Sequence, residues 1–380
     1  MRQFFFLMLV VAVLCGYPTA QAQNRKPTVN TIEAALSSEC RGEFVETPLS
    51  DVIEYLSDLH RVQFFVDTSA LDDLGISVDT PVTDKGGMDT LSTLLDRVLG
   101  RKGLTWLIRN EVLFVTTKEN AESMLETRVY KIIKPTDVDS LIGDITSNIS
   151  PDAWDEVGGP SSICYLPDGM LIVSTNPEVY LQIKKHYSDL LLHVDTRNTG
   201  VTEIPGLALP LQQLNSPTTI EFVETPLKEM AEFLTDLHGV KFRIDSNALD
   251  DIGLSTDTPI TADLKDIRLS SALNLILEQT DLVWIADKTG ITITSPEASE
   301  GKVFLASYSA TDLSADGDMD GLIELVTTSI DPESWDEVGG AGGIRRGIRG
   351  TLDVRQHFGA HLQISKLLSD LRAAKKITAK

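Results

Sequence analysis

The chain has 380 residues, with 33 Lys+Arg against 56 Asp+Glu and a formal net charge of −23. An apolar content of 42% is enough to fill cores, and the length implies about two to four domains. The acidic balance excludes sequence-independent binding to DNA or RNA and sets the chain as a whole against anionic lipid, because both need surplus Lys and Arg.

Residues 1–22 read as a secretory signal peptide. Arg2 supplies the positive start, residues 4–14 are an apolar run, and Ala20-Gln21-Ala22 marks cleavage before Gln23. The run is too short for a ~30 Å hydrocarbon core, and Gly16 and Pro18 interrupt any extension. Leu14 before Cys15 does not suit a lipobox. No later stretch is long enough to cross a membrane as a helix, so the predicted location is the periplasm or the medium. Cleavage removes Arg2 alone and leaves a charge of −24. The mature chain keeps Cys40 and Cys164. An oxidising compartment permits a disulfide between them, and two buried thiols is the other reading.

The chain is written twice. Residues 44–83 and 222–261 are identical at 24 of 40 positions, and Trp154-Asp155-Glu156-Val157-Gly158-Gly159 recurs from Trp335 to Gly340. The shift is 178 in the first block and 181 in the second, so a loop between them absorbs three residues. Trp106 pairs with Trp284 and Trp154 with Trp335. Cys40 meets Thr218 and Cys164 meets Arg345, so neither cysteine belongs to the shared design. Residues 195–218 carry Pro205, Pro210 and Pro217 and read as a linker that disfavours helix.

In each copy a first unit opens with an amphipathic helix. Thr47 is its candidate N-cap, Pro48 and its counterpart Pro226 suit the first helical position, and Leu49, Val52, Ile53, Leu56 and Leu59 share a face up to His60. A strand over 62–66, an Asp-rich connection and a strand over 78–83 follow. A second helix carries Leu91, Leu94, Leu95, Val98 and Leu99, and a hairpin pairs 104–109 with 112–117. The second unit reads strand 129–133, helix 138–149, strands 161–166 and 169–174, and a helix from Pro177. This β-α-β-β-α order is KH-like, without the GxxG loop or basic surface of an RNA binder. The fold class is therefore α+β in tandem duplication.

The first unit resembles the STN domain, found at the N-terminus of secretins and of some TonB-dependent receptors. The resemblance lies in Thr47-Pro48-Leu49 opening a helix, the strand ending in Asp67, the strand before Thr83, and the Leu91, Leu95, Leu99 helix leading to Trp106. The second unit resembles the βαββα periplasmic domain that follows it in secretins. The run from Pro151 through Trp154 to Gly159 is similar to a pattern in secreted planctomycete proteins with STN-like repeats. The resemblance implies STN-like domains at 41–119 and 219–298 and secretin-type domains at 126–194 and 301–374. It also implies a module that contacts other envelope or secreted proteins. The chain carries no pore domain after Lys380 and no plug and barrel, so a pore or a receptor is not expected.

Candidate chemistry is thin. His60 and His238 each close a helix, where the dipole favours a histidine. His357 and His361 are four apart but lack a following H-E-x-x-H glutamate. Asp67, Asp72, Asp73 and Asp79 recur as Asp245, Asp250, Asp251 and Asp257 without EF-hand spacing, and read as turn residues and caps rather than a calcium site. Asp155 and Glu156, with Asp336 and Glu337, are adjacent, whereas glycosidase carboxyls stand ~5 Å or more apart across a substrate. Ser161 and Ser162 form no nucleophile elbow, and Gly339 to Gly350, with Arg345, Arg346 and Arg349, lacks a Walker lysine. Trp106, Trp284, Trp154, Trp335, Pro48, Pro226, Gly158, Gly159, Gly339 and Gly340 read as structural anchors. No catalytic, cofactor-binding or metal-binding residue is assigned. The sequence predicts a non-enzymatic interaction or scaffold module, monomeric or weakly self-associating. A small-molecule or signal-binding module and an enzyme of unassigned class are the alternatives.

Overall fold

The computed structural model describes residues 29–196, 201–207, 210–314 and 319–377. The signal peptide assigned to 1–22 lies outside them. The fold is α+β, built from small sheets with helices packed on them.

The first half opens with α1 (Val29–Leu36), β1 (Glu39–Cys40), β2 (Phe44–Pro48), α2 (Leu49–His60), β3 (Phe64–Val66) and α3 (Thr68–Asp73). Then come β4 (Pro81–Asp84), β5 (Asp89–Thr90), α4 (Leu91–Gly100), β6 (Leu104–Arg109), β7 (Val112–Thr117) and α5 (Lys118–Ser123). The βαββα part has β8 (Glu126–Ile132), α6 (Val138–Asn148), β9 (Ser162–Leu166), β10 (Met170–Thr175), α7 (Pro177–Tyr187) and an added strand, β11 (Leu191–Val194).

The second half follows the same plan. It has α8 (Leu211–Leu214), β12 (Pro217–Pro226), α9 (Leu227–His238), β13 (Phe242–Ile244), α10 (Ser246–Asp251), β14 (Pro259–Arg268), α11 (Leu269–Glu278), β15 (Val283–Asp287), β16 (Gly290–Thr294) and α12 (Pro296–Glu300). It closes with β17 (Phe304–Ser309), α13 (Asp320–Ser329), β18 (Gly343–Arg346), β19 (Thr351–Gln356) and α14 (Phe358–Lys375). β12 and β14 run unbroken where the first half splits each into two short strands.

The start of α2 corrects the sequence reading. Thr47 does not cap it. Pro48 holds the N-cap position without a side-chain bond, and the Thr47 hydroxyl turns back to the Val45 carbonyl. The first helical N–H groups are met by backbone instead, Leu49 N by Thr80 O at 3.0 Å and Ser50 N by Val78 O at 2.8 Å. Leu227 and Lys228 repeat this with Thr258 and Thr256. A loop thus takes over the capping that orphan helix donors require. The Asp-rich connection holds a short helix, α3, and Asp67 serves as a cap, as the sequence expects, accepting from Ala70 N. The linker departs from the reading that disfavours helix: α8 is helical, and Ile204 and Leu214 are fully buried. Burial of two large apolar side chains outweighs the local bias against helix.

One hydrophobic core runs through both halves, beside two that belong to the first half alone. The sheet β11-β8-β10-β9 covers one face with α6 and α7, through Tyr130, Ile145, Val173, Tyr180 and Ile183. Its other face, with Val129, Cys164, Met170 and Ile172, packs against α13 and α14 of the second half. Thr127 Oγ1 donates to Ser329 O at 2.9 Å across this contact. The counterparts of those four residues in the sheet β17-β19-β18 are Ser307, Arg345, Thr351 and Asp353, none of them buried. On the helix side, buried Leu325 and Leu367 stand where α6 and α7 have Asp144 and His186, both exposed. The contact is therefore written one way only. Each half is polar on the face that it does not use, as in a repeat array closed by caps.

Candidate interaction surfaces

Exposure of large apolar side chains repeats between the halves. Val45 and Val223, Tyr55 and Phe233, Leu59 and Leu237, Leu74 and Ile252, and Val157 and Val338 are all exposed at matching positions. A single exposed apolar residue needs no explanation. Five matched pairs do, because core packing cannot account for them.

The helix faces are the clearest case. α2 buries Leu49, Val52 and Leu56, and α9 buries Leu227, Met230, Ala231 and Leu234. Leu59, assigned from spacing to the core face, is 50% exposed. At about 100° per residue it falls beyond Val52 on the flank, one turn below Tyr55. Leu237 is 49% exposed beside Phe233 in the same way. Exposed carboxylates flank each pair on its solvent side, Asp51, Glu54 and Asp58 on α2 and Glu229, Glu232 and Asp236 on α9. Each half thus presents an apolar ridge beside an acidic flank.

The Trp loops present a second repeated feature. Trp154 and Trp335 are buried, and their indole N–H groups donate to Ile149 O and Ile330 O, each at 2.8 Å. Gly158 and Gly339 take φ of 90° and 98°, which favours glycine. A Cβ on Gly159 or Gly340 would lie 2.2 Å from the carbonyl of Ala153 or Ser334. The loop so fixed exposes Asp155, Glu156 and Val157, and Asp336, Glu337 and Val338. The other tryptophans differ between halves. Trp106 donates to Asp96 at 2.8 Å, while Trp284 donates to Asn274 at 2.7 Å and Asn274 in turn to Asn110 of the first half at 3.1 Å.

The remaining candidates hold structural positions. His60 Nδ1 pairs with Ser38 Oγ at 3.0 Å and His238 Nδ1 with Ser216 Oγ at 3.1 Å. Each closes the last turn of its helix, and burial lowers the pKa of both. His238 Nε2 meets Thr218 at 3.0 Å. Cys40 stands at that position in the first half, and His60 Nε2 has no partner among the described residues. Asp67 accepts from Thr116 and Asn120, each at 2.8 Å, and Asp245 from Lys302 at 3.0 Å. Asp72, Asp73, Asp79, Asp250, Asp251 and Asp257 are exposed. His357 caps α14 and meets Asp331 at 3.2 Å. His361 is buried on Tyr308 at 2.9 Å and Phe304 O at 3.1 Å. Among the described residues, no group of three or more His, Cys, Asp or Glu could hold a metal ion. Ser161 is buried on Thr175. Cys40 and Cys164 are both free, and burial pushes the Cys164 thiol up to about 12.

A cleft of about 680 Å³ lies on the seam, between the β6–β7 turn, α11 and the start of α14. Its cationic side chains are already paired: Arg109 with Glu278, Arg268 with Glu111, Lys366 with Asp370 and His357 with Asp331. The first two pairs join the halves, which makes the cleft a clasp rather than an open recognition site.

No protein-family model and no curated protein matches the chain. Solved structures with some likeness include XcpQN012, at 16% identity and TM-score 0.18, covering 53% of this chain and 79% of that one. The GspC–GspD complex of enterotoxigenic Escherichia coli has 15% identity and TM-score 0.16, covering 39% and 95%. The Klebsiella pneumoniae outer membrane complex of PulD, PulS and the PulC HR domain has 13% identity and TM-score 0.22, covering 87% and 50%. Likeness at this level carries no argument. Among the described residues no helix is long and apolar enough to cross a membrane.

Proposed function

We propose that this chain is a secreted or periplasmic, non-enzymatic adaptor that binds another protein at two equivalent surfaces. In this reading residues 1–22 direct export. Each half joins an STN-like domain (41–119 and 219–298) to a secretin-type βαββα domain (126–194 and 301–374), and the Trp and Gly anchors hold the loops. The observation that carries the reading is the matched exposure of Tyr55 with Phe233 and of Leu59 with Leu237. Aromatic residues in an exposed apolar cluster are the usual anchors of an interface. The acidic flanks select a partner whose apolar patch is flanked by Lys and Arg. Two sites on one chain add avidity without any new contact.

The test is capture from envelope extract with the mature protein and three variants. Tyr55→Ser with Leu59→Ser, and Phe233→Ser with Leu237→Ser, should each weaken capture of the same proteins. The fourfold variant should abolish it. Capture unchanged in the fourfold variant would remove the helix faces from the function.

A further inference from the structure

The chain is acidic as a whole, but one tip reverses the sign. Residues 343–355 hold Arg345, Arg346, Arg349 and Arg355 against a single carboxylate, Asp353. All four arginines are exposed. Arg345 stays 4.0 Å from Asp353 with 76% of its side chain in solvent. Arg355 donates to the Ala341 carbonyl. Arg346 and Arg349 meet no carboxylate among the described residues. At the crest of the turn between β18 and β19, Ile348 is 87% exposed, more than any other large apolar side chain among the described residues. The matching turn of the first half carries Asp168, which pairs with Lys375 at 3.4 Å, and buries Leu166.

We propose that this tip docks the protein on an anionic lipid bilayer, with Ile348 entering the acyl boundary and the arginines meeting headgroup phosphates. A protruding isoleucine gains by leaving water. Guanidinium matches phosphate in geometry as well as charge. At the tip the four arginines outnumber Asp353, and Asp312 beside it is paired with Arg372, so the local charge attracts anionic headgroups, while repulsion from carboxylates beyond a Debye length of ~8 Å is screened. The tip is convex. It gives an acidic protein no pocket to fill, whereas a bilayer accepts a projecting side chain. The inference goes beyond the adaptor reading and does not rest on it.

The mature protein is sedimented with vesicles of phosphatidylglycerol and phosphatidylcholine, and with phosphatidylcholine alone, at low and physiological salt. Partition onto the anionic vesicles should exceed the neutral ones by roughly tenfold and weaken with salt. Arg346→Ser with Arg349→Ser should abolish the difference, and Ile348→Ser should lower it several-fold. Lys134→Ser with Lys184→Ser, at exposed lysines elsewhere, should leave it unchanged. All these side chains are exposed, so melting temperatures should stay together. Equal sedimentation on both vesicle types would overturn the proposal. So would anionic binding that survives in the arginine variant, or tip variants that lose only the capture of a protein.

Discussion

Tyr55 and Phe233 stand 178 residues apart, are each 44% exposed, and each set the ring edge-on against a phenylalanine of the preceding strand, Phe44 at 5.9 Å and Phe222 at 5.5 Å. The inner ring is buried in both halves and the outer ring is not. An aromatic pair so arranged holds its outer member in one orientation at little entropic cost, which suits an interface anchor. Tyrosine in one half and phenylalanine in the other keep the ring and not the hydroxyl, so ring area is what the surface offers.

The Trp loops should prove structural. Trp154→Ala and Trp335→Ala should each cost about 3–5 kcal/mol in denaturant titration, since each removes a buried indole and orphans a helix-end carbonyl. Gly159→Ala and Gly340→Ala should cost about 2 kcal/mol or more, because the added methyl meets a carbonyl that cannot move without the loop. Val157→Ser should leave stability within about 0.5 kcal/mol, as expected for a surface change. Losses under about 1 kcal/mol in the tryptophan variants would contradict the buried geometry.

The contact between the halves makes a directional prediction. Ile172→Asp places an unpaired carboxylate against α13 and α14 and should cost roughly 3 kcal/mol or more. The mirror change Asp353→Ile gives up the hydrogen bonds from Ser307 and Thr351 and should cost less, about 1–2 kcal/mol. Combining Ser307→Val, Arg345→Cys, Thr351→Met and Asp353→Ile rebuilds the apolar face of the first half on an open sheet. Light scattering should then show self-association, while the unchanged chain stays monomeric or weakly associated. A stable multi-subunit ring of the unchanged protein at low salt would contradict the one-way interface.

Acid should weaken the fold in two steps. Burial lowers the pKa of His60, His238 and His361. The unfolded chain then binds more protons below the ordinary histidine value of ~6.5, so this stability is complete above that value and is lost as pH falls through it. Asp84, Asp245 and Asp312 are held low by Arg97, Lys302 and Arg372. Their contribution persists through the histidine step and is lost as pH falls into the carboxylate range. Urea midpoints should drop from about pH 7.5 to about pH 5.5, and His238→Gln should shrink that drop. A midpoint that rises on acidification would refute it.

Much of the fold is legible because periodic apolar residues have one use. Leu91, Leu94, Leu95, Val98 and Leu99 specify a buried helix face whatever surrounds it. The repeat fixes which elements correspond. Less legible is what depends on a neighbour distant in sequence. Thr47 looks like a cap, and only the loop at Val78 to Thr80 makes it unnecessary. Leu59 keeps helical spacing with the core, and only the angle separates it from Leu56. The seam between the halves did leave a trace in the sequence. The mismatch of Cys164 with Arg345 marks a position that is covered in one half and open in the other.

Photo-crosslinking from the helix faces tests the two-site account most directly. A photoreactive phenylalanine is placed at Leu59 or at Leu237 in cells that export the protein, with a control at exposed Glu122 on α5. Both helix positions should yield adducts of the same mass, the control none, and Tyr55→Ser or Phe233→Ser should suppress the adduct of its own half more than that of the other. Adducts of unrelated masses from the two halves, or none from either, would contradict a matched pair of protein-binding surfaces.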